Sequence, residues 1–146
     1  INTARGEIIQ TEALLRTMQE GFVSNAIIDV WENEPHINLD LLNRAYIATP
    51  HIAGYSGDGK GNATRMVLEA LCKHFGIQAG FEIKVPAMPV TPQLLADYRN
   101  NISLLAYNPI NDSEKLKANP GKFEDFRNDY PLRRETTFYK TQMQLS

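Results

Sequence analysis

The sequence predicts an α/β arrangement followed by a smaller α+β unit. Two short apolar runs that read as covered parallel strands, a helix between the first of them and the chain's start, and a proline-rich break near the middle carry this reading. Ile1 stands in a strand-like segment that runs directly into Arg5-Gly6. Glu7 to Gln10 continues that strand or turns out of it. Thr11 is a candidate N-cap with Glu12 in the first turn, and Leu14, Leu15 and Met18 give one apolar helical face that Gly21 closes. Ala26 to Val30 is the first covered strand. A connection leads to the second, Ala45 to Ala48, which ends at Thr49-Pro50-His51.

A long amphipathic helix follows, opened by Gly57 or Asp58 and closed by Gly76. Its expected apolar face is Ala63, Met66, Val67, Ala70 and Leu71, with His74 in register. Phe81 to Val85 alternates as a half-exposed strand does. Pro86, Pro89 and Pro92 mark an extended linker, and Thr91-Pro92 reads as an N-cap with proline at N1, opening a helix through Leu94, Leu95 and Tyr98. Ile102 to Tyr107 is apolar and of either type. Asn108-Pro109 reads as a turn, and Asp112 as the cap of a short helix carrying Leu116. Phe123 to Asn128 reads as another short helix, and Pro131 starts an extended tail through Tyr139.

The chain has 146 residues, a net charge of −2 and one cysteine. The balance leaves no electrostatic footprint for nucleic acid, and Cys72 has no internal disulfide partner, which suits a reducing compartment. No apolar run approaches the roughly 18 residues of a membrane span. A soluble cytoplasmic protein is expected. Because Ile1 falls inside a strand-like segment, the chain is also expected to be a piece of a longer protein.

Three polar residues stand where strands end: Arg5, Glu34 and His51. Ligands of open α/β sheets bind outside the carboxyl ends of the strands, so these side chains are candidates for one crevice. Together they suit a 2-hydroxy acid. Arginine clamps a carboxylate, imidazole takes a hydroxyl proton while hydride leaves the same carbon, and the carboxylate fixes the imidazole tautomer and favours its protonated form. Singly, each also has a plain reading, as a surface ion-pair former, a solvated loop residue and a turn histidine. His36 and His74 do not share ligand spacing with His51, so no metal is expected. Cys72 reads as a small core residue and Trp31 as packing behind the Glu34 loop. Gly54-Tyr55-Ser56-Gly57-Asp58-Gly59-Lys60-Gly61 looks like a phosphate loop but follows no compatible βα turn.

Ile1-Asn2-Thr3-Ala4-Arg5-Gly6, Asp29-Val30-Trp31-Glu32-Asn33-Glu34-Pro35 and Ala48-Thr49-Pro50-His51-Ile52-Ala53-Gly54 resemble, in order, the signatures of the NAD-dependent D-2-hydroxyacid dehydrogenases. Trp31, the Tyr55 to Lys60 segment, Tyr107-Asn108-Pro109 and Phe126 to Glu135 are similar to one member that acts on a phosphorylated hydroxy acid. The resemblance implies the C-terminal part of a Rossmann-type NAD-binding domain over 1–56, a helix crossing back toward a catalytic domain over 57–80, and an α+β dimerisation domain over 81–146 forming a homodimer. It implies NAD as cofactor, with Thr3, Ala4, Arg5 and Gly54 lining the nicotinamide end and Asp29 meeting the carboxamide. Arg5 and Tyr55 would bind substrate, His51 would accept the proton and Glu34 would orient it. The glycine-rich cofactor loop has no counterpart in the sequence, so the chain alone is expected to be inactive. Arg133-Arg134 offers donors for a phosphate in a partner subunit's crevice, or alternatively an ion pair at a solvated or dimer edge. Other readings are a phosphoglycerate dehydrogenase of the same family, or a non-catalytic NAD-responsive relative.

Overall fold

The computed structural model describes residues 1–98 and 100–145, which form two compact units. The first comprises 1–53 together with 108–130, and the second comprises 54–107 with 131–146. The expected divisions at 56 and 80 do not coincide with these units. Residues 108–130, placed by the sequence reading in the terminal domain, pack with the N-terminal segment instead. The reason is apolar burial: Leu116 and Phe123 complete the core of Ala26, Ile28, Trp31, Leu41, Leu42, Ala45 and Ala48.

The sheet of the first unit is minimal. β1 (Ile27–Ile28) pairs in parallel with β2 (Ile47–Ala48), Ile27 opposite Ile47 and Ile28 opposite Ala48. Asn2 joins the other side of Ile28 through a single parallel bridge. The strands are shorter than the apolar runs that foretold them, because beyond Ile28 the chain leaves the ladder. There the Asp29 carboxylate turns to bind Thr49, Ile52 and Ala53. After Asn2 the chain enters a 3₁₀ turn at Gly6–Ile8 rather than continuing as a strand.

Helix α1 (Thr11–Gln19) begins at the expected cap, one residue early: Gln10 is the N-cap and Thr11 the first helical residue. Its Thr11 N–H is taken by the Glu32 carboxylate at 2.6 Å, which holds that carboxyl below the usual range. Leu14, Leu15 and Met18 lie on the core as their spacing foretold. A helix with no counterpart in the sequence reading, α2 (Leu39–Arg44), fills the connection between the strands. The Asn38 side chain accepts from Leu41 N–H, and Leu41 and Leu42 are buried. Two later helices complete this unit, α6 (Pro109–Ala118) and α7 (Phe123–Asn128). Asn108-Pro109 is therefore not a turn but the N-cap and first residue of α6, and Asp112 lies inside that helix. Ser113 Oγ accepts from Ala48 N–H at 2.9 Å, and Lys117 donates to the Ala45 carbonyl, so α6 fastens onto β2.

The second unit is helical. α3 (Gly57–Phe75) opens at Ser56, whose hydroxyl accepts from Gly59 N–H, and ends at Gly76 in the left-handed region. No residue of α3 is buried. The face expected to be covered is open, with Met66, Val67, Leu71 and Phe75 more than half exposed. Its glycine face is the covered one. A Cβ on Gly57 would meet Val85 and Leu132 within 3.0 Å, and one on Gly61 would press on Val85 and Ile83. Gly57 and Gly61 thus serve close packing of the helix. Phe81 to Val85 forms no strand, since among the described residues no second strand pairs with it. α4 (Pro92–Asp97) starts at Thr91 as expected. α5 (Ile102–Ala106) settles the ambiguous run as helix and packs on α8 (Thr136–Leu145), which replaces the expected extended tail from Thr136 onward. No helix among the described residues is long and apolar enough to cross a membrane.

Arg134 ties this unit together. It holds both oxygens of Asp58, at 2.8 and 2.9 Å, while donating to the Pro86 carbonyl; Ser56 Oγ donates to Glu135. Arg134 thus pairs with Asp58 of its own chain, a partner that neither sequence reading of Arg133-Arg134 named. Arg133 stacks on the Tyr107 ring at 4.0 Å. Hydrogen bonding from Arg134 holds the Asp58 carboxyl below its ordinary value, despite some desolvation. A depressed folded-state value stabilises above the unfolded aspartate value near ~3.9 and is lost as pH falls through the folded value. We therefore expect Asp58→Asn to lower Tm at neutral pH, with the gap to the parent closing below about pH 4. Thermal melts across that range check this; a gap constant with pH would assign the effect to packing.

Candidate functional site

Because Asn2, β1 and β2 run parallel, their carboxyl ends lie on one edge of the sheet. The segments leaving that edge carry Thr3, Ala4 and Arg5, then Asp29 to Glu34, then Thr49 to Ala53. Each is held by its own set of bonds. Asn2, buried, folds its side chain over the first segment, donating to the Arg5 carbonyl and accepting from Ala4 N–H. Thr3 and Ala4 are exposed on this turn. The Arg5 side chain is exposed as well and donates to the Ala4 carbonyl at 2.6 Å.

The second and third segments are brought into direct contact. His51 Nδ1 lies 2.8 Å from Glu34 Oε2. With the carboxylate ionised, Nδ1 is the donor, which leaves Nε2 as the acceptor. Trp31 locks this arrangement from behind. Its backbone N–H donates to Glu34 Oε1 at 2.9 Å and its buried indole N–H to the Thr49 carbonyl at 3.0 Å. Asn33 and His51 both have positive φ, 59° and 57°. That left-handed region costs about 1–2 kcal/mol for a residue with a Cβ. At His51 the cost is offset by the bond from its N–H to the Asp29 carbonyl, 2.7 Å, and by the Glu34 contact.

Asp29 is only 2% exposed. Its carboxylate accepts from Thr49 Oγ1, Ile52 N–H and Ala53 N–H, which fixes the turn that presents His51. A carboxylate has about four lone-pair sites, so three are already occupied by the chain itself. Of the residues expected at the site, Glu34 and His51 are thus in contact, Asp29 underlies them, and Thr3, Ala4 and Arg5 share their edge by strand order. Gly54 and Tyr55 fall in the second unit, where Lys60 Nζ lies 4.0 Å over the Tyr55 ring.

Sequence reasoning missed two contributors, Asn2 and Arg127, and named Asp29 for the cofactor without its part in holding the His51 turn. Asn2 organises the first turn, and its signal was an amide two residues before an exposed loop residue. Arg127 of α7, whose guanidinium stands 3.9 Å from Glu34 Oε2, left no local signal. A polar concavity whose lining includes neither Glu34 nor His51 is formed by Thr11, Glu12, Glu32, Asn33, His36 and Asn38. Among the described residues no group of three or more His, Cys, Asp or Glu is arranged to hold a metal ion.

Residues 1–53 match the family model described as D-isomer specific 2-hydroxyacid dehydrogenase, NAD binding domain. The chain is 54% identical over 95% of its length to an erythronate-4-phosphate dehydrogenase of Bacteroides thetaiotaomicron, covering 40% of that protein. It is 40% identical over 98% of its length to the enzyme of that name from Marinobacter nauticus, covering 41% of it. With that from Porphyromonas gingivalis it shares 42% identity over 92% of its length, covering 38%. The chain therefore spans about two fifths of the length of the curated relatives it matches.

Proposed function

We propose that this chain, whose first 53 residues carry the NAD-binding segment of a D-isomer specific 2-hydroxyacid dehydrogenase, belongs to an enzyme oxidising 4-phospho-D-erythronate at C2. The product is 2-oxo-3-hydroxy-4-phosphobutanoate, and the setting is pyridoxal phosphate synthesis in the cytoplasm. The observation that carries the reading is the Glu34–His51 contact at the carboxyl edge of parallel strands.

NAD, when bound, would supply the hydride acceptor for C2. The chain's own residues do the rest. His51 Nε2 takes the proton of the C2 hydroxyl as the C–H bond breaks, and Glu34 holds Nδ1–H so that Nε2 remains the accepting nitrogen. Arg5 pairs with the substrate carboxylate and 2-oxygen, its exposed guanidinium swinging from the Ala4 carbonyl to do so. The exposed turn at Thr3 and Ala4 would line the flat nicotinamide end. Asp29 has one lone-pair site left for the carboxamide, and Gly54 and Tyr55 complete the cofactor and substrate contacts in this reading. The reading extends to a homodimer through 81–146, which rests on the resemblance of Tyr107-Asn108-Pro109 and Phe126 to Glu135.

The test is turnover by the full-length protein. NADH formation with 4-phosphoerythronate, and at least ten-fold less with 3-phosphoglycerate, is the expected result. NADH binding without oxidation of either acid would instead identify a non-catalytic relative.

A further inference from the structure

Glu34 Oε2, the oxygen that meets His51, is shared. Arg127 Nη1 of α7 stands 3.9 Å from it, in the same compact unit. The other oxygen is taken by Trp31 N–H. α7 is not a loose carrier for that cation. Phe123 at its start is buried and Phe126 packs against the core, so the helix that bears Arg127 is anchored one turn from it. Both side chains are partly shielded, Glu34 at 18% and Arg127 at 35% exposure, so the attraction is weakened but not abolished by solvent.

We propose that Arg127 is a positioning residue for the Glu34–His51 pair, sharing Glu34 Oε2 with the imidazole and thereby fixing both the carboxylate's direction and the net charge that His51 faces. The inference rests on the dehydrogenase reading for its role in turnover, but the coupling itself is a property of the fold. A bare carboxylate beside an imidazole favours imidazolium, which has no lone pair to accept a proton. A guanidinium on the same oxygen offsets part of that charge. Asp29, which reaches the His51 turn through Ile52 and Ala53 N–H, is unchanged by substitution at Arg127.

The experiment compares the full-length protein with Arg127→Met, which keeps an apolar stem without the charge, and Arg127→Lys, which keeps the charge. In Arg127→Met the acidic limb of kcat/KM for hydroxy-acid oxidation moves up by roughly half a pH unit while KM changes less than two-fold. Arg127→Lys restores the limb. An NMR titration of the His51 imidazole, assigned against His51→Asn, moves the same way and needs no turnover. Should Arg127→Met fail to fold, Arg127→Gln makes the same comparison. Superimposable limbs and superimposable titrations, with Tm alone lowered, would assign Arg127 to packing and overturn the proposal. A shifted titration in a protein that oxidises no hydroxy acid would keep the coupling and remove the dehydrogenase reading.

Discussion

Replacing His51 by asparagine in the full-length protein is expected to lower kcat for hydroxy-acid oxidation about 10³-fold, within the span that a positioned general base supplies. Asparagine is the informative choice because His51 has φ of 57°, a conformation that asparagine tolerates far better than alanine or a branched residue. The backbone bond from position 51 to the Asp29 carbonyl survives, so the turn itself is preserved. NADH affinity and Tm should stay close to the parent's, because the imidazole is lost from a partly open edge and not from the core. Stopped-flow rates beside NADH binding separate the cases. A loss of less than ten-fold would mean that another group takes the proton, and the Glu34–His51 contact would then be structural only. Glu34→Gln should cost less, since His51 remains and only its orientation and charge balance change.

The candidate site was legible in the sequence to the extent that it depends on strand ends. Arg5, Glu34 and His51 follow short apolar runs, and parallel pairing of Asn2, β1 and β2 brings those ends to one edge. What holds the side chains there was not legible, because it is tertiary. Asp29 fastens residues more than twenty positions downstream, and Arg127 arrives from α7. The same distinction runs through the fold. Thr91-Pro92 and Gly76 acted as local chemistry says they should, whereas Asn108-Pro109 carried the same N-cap and N1 signal and was taken for a turn. Asn38 before Leu39, Leu41 and Leu42 likewise marked a helix, hidden by its shortness. The alternation in Phe81 to Val85 misled for the opposite reason: period two describes one face of a strand but supplies no partner. That residues 108–130 join the first unit follows from where Leu116 and Phe123 find apolar cover, which no local pattern states.

Gly6→Ala is expected to destabilise the first unit by about 3 kcal/mol, with a fall in Tm on the order of 10 °C. A Cβ at position 6 would stand 2.0 Å from the Trp31 carbonyl oxygen, 2.3 Å from its carbon and 2.8 Å from Glu32 N. All three are backbone atoms, so no side chain can rotate aside. The two segments must part instead. Trp31 cannot yield cheaply, because its ring is buried and its N–H and indole N–H hold Glu34 and the Thr49 carbonyl. The Arg5-Gly6 turn therefore moves, and with it the arginine proposed to bind the substrate carboxylate. The kinetic consequence differs from that of His51→Asn: KM for the hydroxy acid should rise more than kcat falls, since the proton acceptor is untouched. Thermal melts and steady-state kinetics on the same preparation test both halves. An unchanged Tm would mean that the turn relaxes freely and that the close approach of Gly6 to Trp31 does not hold the site in register.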